Sequence, residues 1–198
     1  MNNNSKVLAL KYRPQSFDDL IGQEVVVETI TNSIKANKVP NAYLFTGIRG
    51  IGKTTTARIV AKALNCSNGI KNLCKENLCE NCEAITNSSH IDVLEMDAAS
   101  KTGVDDVRDL IEFSRYGPTS AKYKIFIIDE VHKFIGNVYS NISSKQGKRA
   151  QNIYEHIIQD QQENPDTRVI VLSATPAANN PFELALLFNL IRPNIFPK

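Results

Sequence analysis

The chain has 198 residues, 42% hydrophobic and 22% charged, which suits one domain with a sizeable core, or one domain and a small appendage. Its formal net charge of +2 excludes a globally basic field, so any nucleic-acid contact must come from local patches. No stretch reaches membrane-spanning length and the start lacks an apolar leader segment, so a cytoplasmic protein is expected, without a membrane partner.

After an Asn-rich start that reads as a frayed tail, Asp18 and Asp19 precede a helix carrying Val26, Ile30 and Ile34 and ending near Asn37, before Pro40. Ala42 to Phe45 is a first strand. Next come Gly47-Ile48-Arg49-Gly50-Ile51-Gly52-Lys53-Thr54, a complete G-x-x-x-x-G-K-[ST] loop set between that strand and a helix at 54–64. The glycines let the backbone curl so that successive N–H groups face phosphate oxygens, and the helix N-terminus adds partial positive charge. Lys53 is assigned to the β/γ-phosphates and the Thr54 hydroxyl to Mg²⁺; Ile48, Arg49, Ile51 and Thr55 complete the loop's nucleotide contacts. A Gly-rich turn with a chance lysine is the bland alternative, and the strand–loop–helix context argues against it. The motif predicts a bound nucleoside triphosphate.

All four cysteines, Cys66, Cys74, Cys79 and Cys82, fall in one short insert, and the last two have C-x₂-C spacing. Four soft ligands so close together suit a closed tetrahedral zinc site of structural type. Disulfides or free thiols compete with that reading, though a reducing cytosol disfavours disulfides.

Glu83 to Thr86 reads as a helical remnant and Ile91 to Met96 as a second strand. Thr102 then caps a helix with Asp105 three residues on, and Val104, Val107, Leu110 and Ile111 form its apolar face. Lys124 to Asp129 is a buried strand that ends in Asp129-Glu130-Val131-His132. Asp129 at a strand's C-terminal edge suits the Mg²⁺ shell, and Glu130 suits orienting and deprotonating a water; a pair of solvated acids is the alternative. Phe134 to Lys148 reads as a polar mobile loop; its Lys145 and Lys148, with Arg149 just after it, are either solvated or touch a phosphate backbone. Ala150, Ile153, Tyr154, Ile157 and Ile158 make a helical stripe, and Val169 to Leu172 a further buried strand. Ser173 or Thr175 just beyond it offers a polar sensor. Asn180 caps a last helix with Pro181 at its first position and Leu184, Leu187, Phe188 and Ile191 on its apolar side. The alternation of helices with four strands predicts an α/β class fold, a parallel sheet flanked by helices.

Several of these segments carry a family likeness. Lys11-Tyr12-Arg13-Pro14, Phe17 to Gln23, Ala42 to Phe45 with the phosphate loop, Leu64-Asn65-Cys66, Cys79-x-x-Cys82, Asp97-Ala98-Ala99-Ser100 and Ile127 to His132 resemble the ATPase region of bacterial DNA polymerase III gamma/tau subunits. The resemblance covers residues 7 to about 133 and implies an AAA+-like P-loop ATPase of the clamp loader, using ATP and Mg²⁺. It further implies Tyr12, Arg13 and Pro14 near the adenine and Zn²⁺ on all four cysteines. As partners it implies clamp-loader subunits and the polymerase III holoenzyme, with DNA contacted indirectly and an oligomeric native setting. Four residues between Cys74 and Cys79, where two are usual, is a departure that a longer knuckle accommodates.

Beyond Lys133 that pattern stops, and the family's Ser-Arg-Cys arginine-finger motif is missing. Lys148 to Ile153, Thr167 to Pro176 and Asn180 to Leu184 instead resemble a superfamily-two helicase of the Swi/Snf or viral NTPase type. The chain therefore reads as composite: 1–133 clamp-loader-like, with the zinc insert at 66–82, and 134–198 a helicase-like, truncated completion of the same α/β domain. The expected function is ATP binding with weak hydrolysis in DNA replication. The alternatives are a helicase or translocase fragment, and a nucleotide-binding chimera with no productive motor cycle. An open edge beyond the first strand is also expected, unless the final helix covers it.

Overall fold

Four apolar runs, each leading into a helix, set the architecture of the computed structural model, which describes residues 12–69, 72–74, 77–100, 104–143, 148–176 and 180–197. The strands are β1 (Ala42–Thr46), β2 (Val93–Asp97), β3 (Lys124–Asp129) and β4 (Thr167–Ser173). All pair in parallel in the order β1-β4-β3-β2, so β4 lies between β1 and β3. These two central strands, β3 and β4, are buried almost throughout, which is why they read as unbroken apolar runs.

The helices are α1 (Glu24–Lys35), α2 (Lys53–Asn65), α3 (Glu80–Thr86), α4 (Val104–Ser114), α5 (Val131–Ser143), α6 (Arg149–Glu163) and α7 (Pro181–Ile191). Alternate strand residues point to opposite faces, and each face has its own core. On one, Ile125, Ile127, Ile170 and Leu172 meet Ile30, Ile59, Val60 and Ile85 of α1 to α3. On the other, Phe126, Ile128, Val169 and Val171 meet Leu110, Phe134, Ile135, Ile157 and Leu187 of α4 to α7.

Several sequence expectations need correction. The stretch predicted as a mobile loop from Phe134 is helix α5 as far as Ser143, with Val131, Phe134, Ile135 and Val138 buried at helical spacing. Asp18 and Asp19 do precede α1 as expected, within a 3₁₀ turn, Phe17–Asp19, closed by the Asp19 carboxylate accepting from the Ser16 N–H and hydroxyl. Strand β2 begins at Val93, where its pairing with Ile125 of β3 starts, and Ile91 before it is 67% exposed. In α7 the cap is as expected, the Asn180 Oδ1 accepting from the Phe182 N–H at 2.9 Å. Its buried side, however, is Glu183, Leu187, Asn189 and Leu190, with Leu184 and Phe188 exposed. Thr102 lies outside the described residues, as do Lys145 and the side chains of Val104, Asp105 and Val107.

The outer edge of β1 has no strand beside it among the described residues, as expected of an open edge, and Leu44 and Thr46 are exposed there.

Candidate functional site

β1 delivers the chain to the C-terminal edge of the sheet, where the phosphate loop turns back into α2. Gly50 and Gly52 take φ of 90° and 91°, values side-chain-bearing residues rarely adopt, which is why the loop needs glycine at both positions. Gly52 is the N-cap of α2, so Lys53 and Thr54 occupy its first turn. The Lys53 ammonium donates to the carbonyls of Gly47 (2.8 Å) and Ile48 (3.1 Å). Gln23 Nε2 donates to the Ile51 carbonyl at 2.9 Å and ties α1 to the loop.

Two strands away, β3 ends in the acidic pair. The Thr54 hydroxyl donates to Asp129 Oδ2 at 2.7 Å, joining the loop to the strand end across 75 residues of sequence. Glu130 follows with φ of 50°, and its N–H donates to Asp129 Oδ1 at 2.8 Å. His132 Nδ1 lies 3.4 Å from Glu130 Oε2 and 3.0 Å from Ser173 Oγ at the end of β4. The Ser173 Oγ also accepts the Thr175 N–H at 3.1 Å.

These groups surround a cavity of about 710 Å³, within the size range of small-molecule and cofactor sites. Tyr12, Arg13 and Pro14 line it, with Arg49 to Thr55, Asp129 and Glu130. Arg13 is held there by its Nε donating to the Thr55 hydroxyl at 3.1 Å. Gly47 and Ile48 are not among the lining residues; their carbonyls accept from Lys53. Thr175 is exposed and outside the cavity; its neighbour Ser173 is buried and reaches the acids through His132.

Sequence reasoning missed Leu20, Ile21, Gln23, Asp97, Ala99 and Lys133 as lining residues. Five of them fall in segments singled out for their family likeness, so the signal was present but carried no spatial direction. Asp97 is paired in register with Asp129. The Ser100 hydroxyl and Ala99 N–H hold its carboxyl below the usual range, against a modest effect of burial, and Lys133 and Arg49 add to the pull.

The cysteine insert sits at the far end of α2. The four Sγ atoms lie within 4.8 Å of one another, with Cys66–Cys74 at 3.6 Å and Cys66–Cys79 at 4.0 Å. Four thiolates around one zinc ion, with bonds of ~2.3 Å, stand roughly 3.8 Å apart, so the donor set fits. Burial pushes the Cys79 thiol up, but backbone and side-chain bonds from Cys82 and Ser67 outweigh it and bring it to about 6. Burial pushes Cys74 and Cys82 up. Asn68 Nδ2 and the Cys79 N–H both donate to Cys74 Sγ, at 3.2 and 3.3 Å, the outer support a thiolate ligand uses.

A parallel sheet, a phosphate loop after β1 and an acid pair at the end of β3 define the class: an α/β domain of the P-loop NTPase type. Residues 22–139, more than half of the chain, match the family model described as DNA polymerase III, delta subunit, and the chain belongs to that family. The expected likeness to gamma/tau subunits is also found. Over 130 residues the chain is 48% identical to the DNA polymerase III subunit gamma of Buchnera aphidicola subsp. Baizongia pistaciae, covering 65% of this chain and 35% of that one. To the tau subunit of Escherichia coli it is 45% identical over 127 residues, 64% of this chain and 20% of the relative. The chain thus spans about a third or less of these relatives. Among solved structures, the RuvB Holliday junction branch migration motor of Thermotoga maritima covers 87% of this chain and 46% of its own at 18% identity and a TM-score of 0.49. Nothing in these comparisons supports the helicase-like reading of 134–197.

Proposed function

We propose that the cavity binds ATP with Mg²⁺ and that the chain hydrolyses it slowly, as part of a clamp-loader ATPase acting in DNA replication. The observation that carries this reading is the 2.7 Å contact between Thr54 and Asp129, which brings together the hydroxyl and the carboxylate such sites use for magnesium. Bound there, Mg²⁺ would neutralise charge on the phosphates. Lys53, released from its two carbonyls, pairs with the β/γ-phosphates, while Tyr12, Arg13 and Pro14 face the adenine. Glu130 orients the attacking water and takes its proton, and Ser173 senses its position through His132.

The four cysteines hold Zn²⁺ in this reading, as a structural clip on the end of α2. Residues 134–198 complete the same domain as 1–133. By their likeness to polymerase III subunits, the partners are other clamp-loader subunits in a cytoplasmic oligomer, with DNA contacted through the assembly. Among the described residues no helix is long and apolar enough to cross a membrane.

Calorimetric titration with magnesium-ATP tests the site. Wild type should bind with one site per chain, and Lys53→Ala should weaken binding at least about tenfold, since it removes the main phosphate cation. Absence of binding by folded wild type refutes the reading. Metal analysis should find one zinc per chain, lost in Cys82→Ser.

A further inference from the structure

Two cations line the cavity without a part in the hydrolysis step above: Lys133, and Arg49, which the sequence assigned only to nucleotide contact. Lys133 is on the first turn of α5, its N–H donates to the Glu130 carbonyl at 2.9 Å, and both residues line the cavity. Arg49 projects from the middle of the phosphate loop. Both are exposed, and neither has an ion-pair partner within 4.0 Å among the described residues. Asp97, opposite Asp129 in register, feels both, which places the two cations over the acid end of the cavity.

We propose that Lys133, assisted by Arg49, is a catalytic residue that supplies positive charge from within the chain to the terminal phosphate of the bound nucleotide. This rests on the nucleotide reading above. Charge bookkeeping supports it: the lining carries Arg13, Arg49, Lys53 and Lys133 against Asp97, Asp129 and Glu130, four positive groups against three negative. Arg13 is committed to Thr55 and Lys53 belongs to the loop, so Lys133 and Arg49 are the cations left for the terminal phosphate.

In the reaction, water oxygen bonds to the terminal phosphorus, and the water's proton goes to the Glu130 carboxylate. The bond from that phosphorus to the bridging oxygen breaks, with its electron pair left on the β-phosphate of ADP. Lys133 moves no proton. It stabilises charge gathering on the transferred group, where a fixed cation is worth more in the transition state than in the ground state. A buried arginine finger contributes about 10³–10⁵ in rate, and an exposed, hydrated lysine falls short of that.

The test uses the whole chain and Lys133→Met, with ATP and ADP binding by calorimetry and phosphate release in single turnover. The expected result is ADP affinity within about twofold of wild type, a lowered ATP-to-ADP affinity ratio, and turnover reduced about 10- to 100-fold, below the loss typical of a buried transition-state donor. Lys133→Arg should restore most of both, and Arg49→Ala should show a smaller loss. Unchanged turnover in Lys133→Met overturns the proposal, as does an equal fall in ATP and ADP affinity that Lys133→Arg fails to repair. Wild type that binds ATP without measurable turnover overturns it too. Wild type that binds neither nucleotide refutes the nucleotide reading first.

Discussion

Glu130 carries the clearest sign of local strain in the site. Its φ of 50° belongs to the left-handed region, which costs a residue with a side chain about 1–2 kcal/mol. The geometry around it accounts for the cost. Asp129 must face Thr54, the Glu130 amide turns back onto Asp129, and the chain enters α5 one residue later. That twist aims the Glu130 carboxylate toward His132, whose Nδ1 stands between it and Ser173. Asn tolerates this backbone region better than Glu but cannot take a proton from water. Glu130→Asn should therefore melt at or above the wild-type temperature and keep its ATP affinity. Its turnover should fall about 10²- to 10⁴-fold, the usual worth of a general base. A parallel loss of ATP affinity in calorimetry would show that Glu130 holds the loop instead of the water. Sequence alone singled out Asp129 and Glu130 as candidates because the apolar run stops there, and both line the cavity. It had no means of finding the His132–Ser173 contact, which exists only because β3 and β4 are neighbours in space.

Secondary elements were legible wherever period and composition agreed. In α5 they conflict: Gly136, Asn137, Ser140 and Asn141 suggest a loop, while the apolar residues keep helical spacing and decide the outcome. The Ser140 hydroxyl satisfies itself on the Gly136 carbonyl at 2.9 Å, so the polar side costs the helix little. In α7 the conflict is of another kind, since the segment is apolar nearly all round and its period cannot choose a face. The choice is made by α6, where the Tyr154 hydroxyl and Gln161 Nε2 donate to the carbonyls of Leu186 (2.9 Å) and Leu190 (2.8 Å). Loops leave fainter traces still. Asp92, just before β2, accepts from the N–H groups of Thr119, Ser120 and Ala121 and from two hydroxyls, at 2.7–3.0 Å, fixing the approach to β3. Burial pushes its carboxyl up, but those donors outweigh it and hold the group below its ordinary value. With a depressed folded value, its stabilisation is complete above the unfolded pKa of about 3.9 and drains away as pH falls through the folded one. Asp92→Asn should cost about 2–4 kcal/mol at pH 7, with the gap to wild type closing below about pH 4. Urea unfolding at both pH values measures this; a gap indifferent to pH would mean that shape, not charge, secures the loop.

At the scale of the whole molecule, the join near Lys133 is where the sequence suggested two sources, yet the sheet runs straight across it. β4 comes from the second part and occupies a central position, between β1 and β3 of the first. One buried ion pair also crosses the join. Lys124 Nζ on β3 stands 3.0 Å from Asp160 Oδ2 on α6, with both side chains at most 2% exposed. Asn164 Nδ2 and the Thr167 hydroxyl also donate to Asp160, and Lys124 donates to the Tyr116 carbonyl. Burial lowers the Lys124 pKa and raises that of Asp160 even with the partner present, so each group depends on the other to remain charged. In the sequence Lys124 reads merely as the start of an apolar strand, because a buried cation is intelligible only once its counter-ion is placed. Removing one member should be far worse than removing both. Lys124→Met should lose about 3–5 kcal/mol by stranding the carboxylate, whereas Lys124→Met with Asp160→Leu should recover most of that loss. Urea unfolding of the single and double variants gives the coupling, and the shape of the curves gives the domain structure. One cooperative transition, shifted intact in each variant, is the outcome expected if residues on both sides of the join form a single folding unit. A biphasic curve, in which Lys124→Met moves only one of two phases, would instead divide the chain into two units at the very place where its sequence changes character.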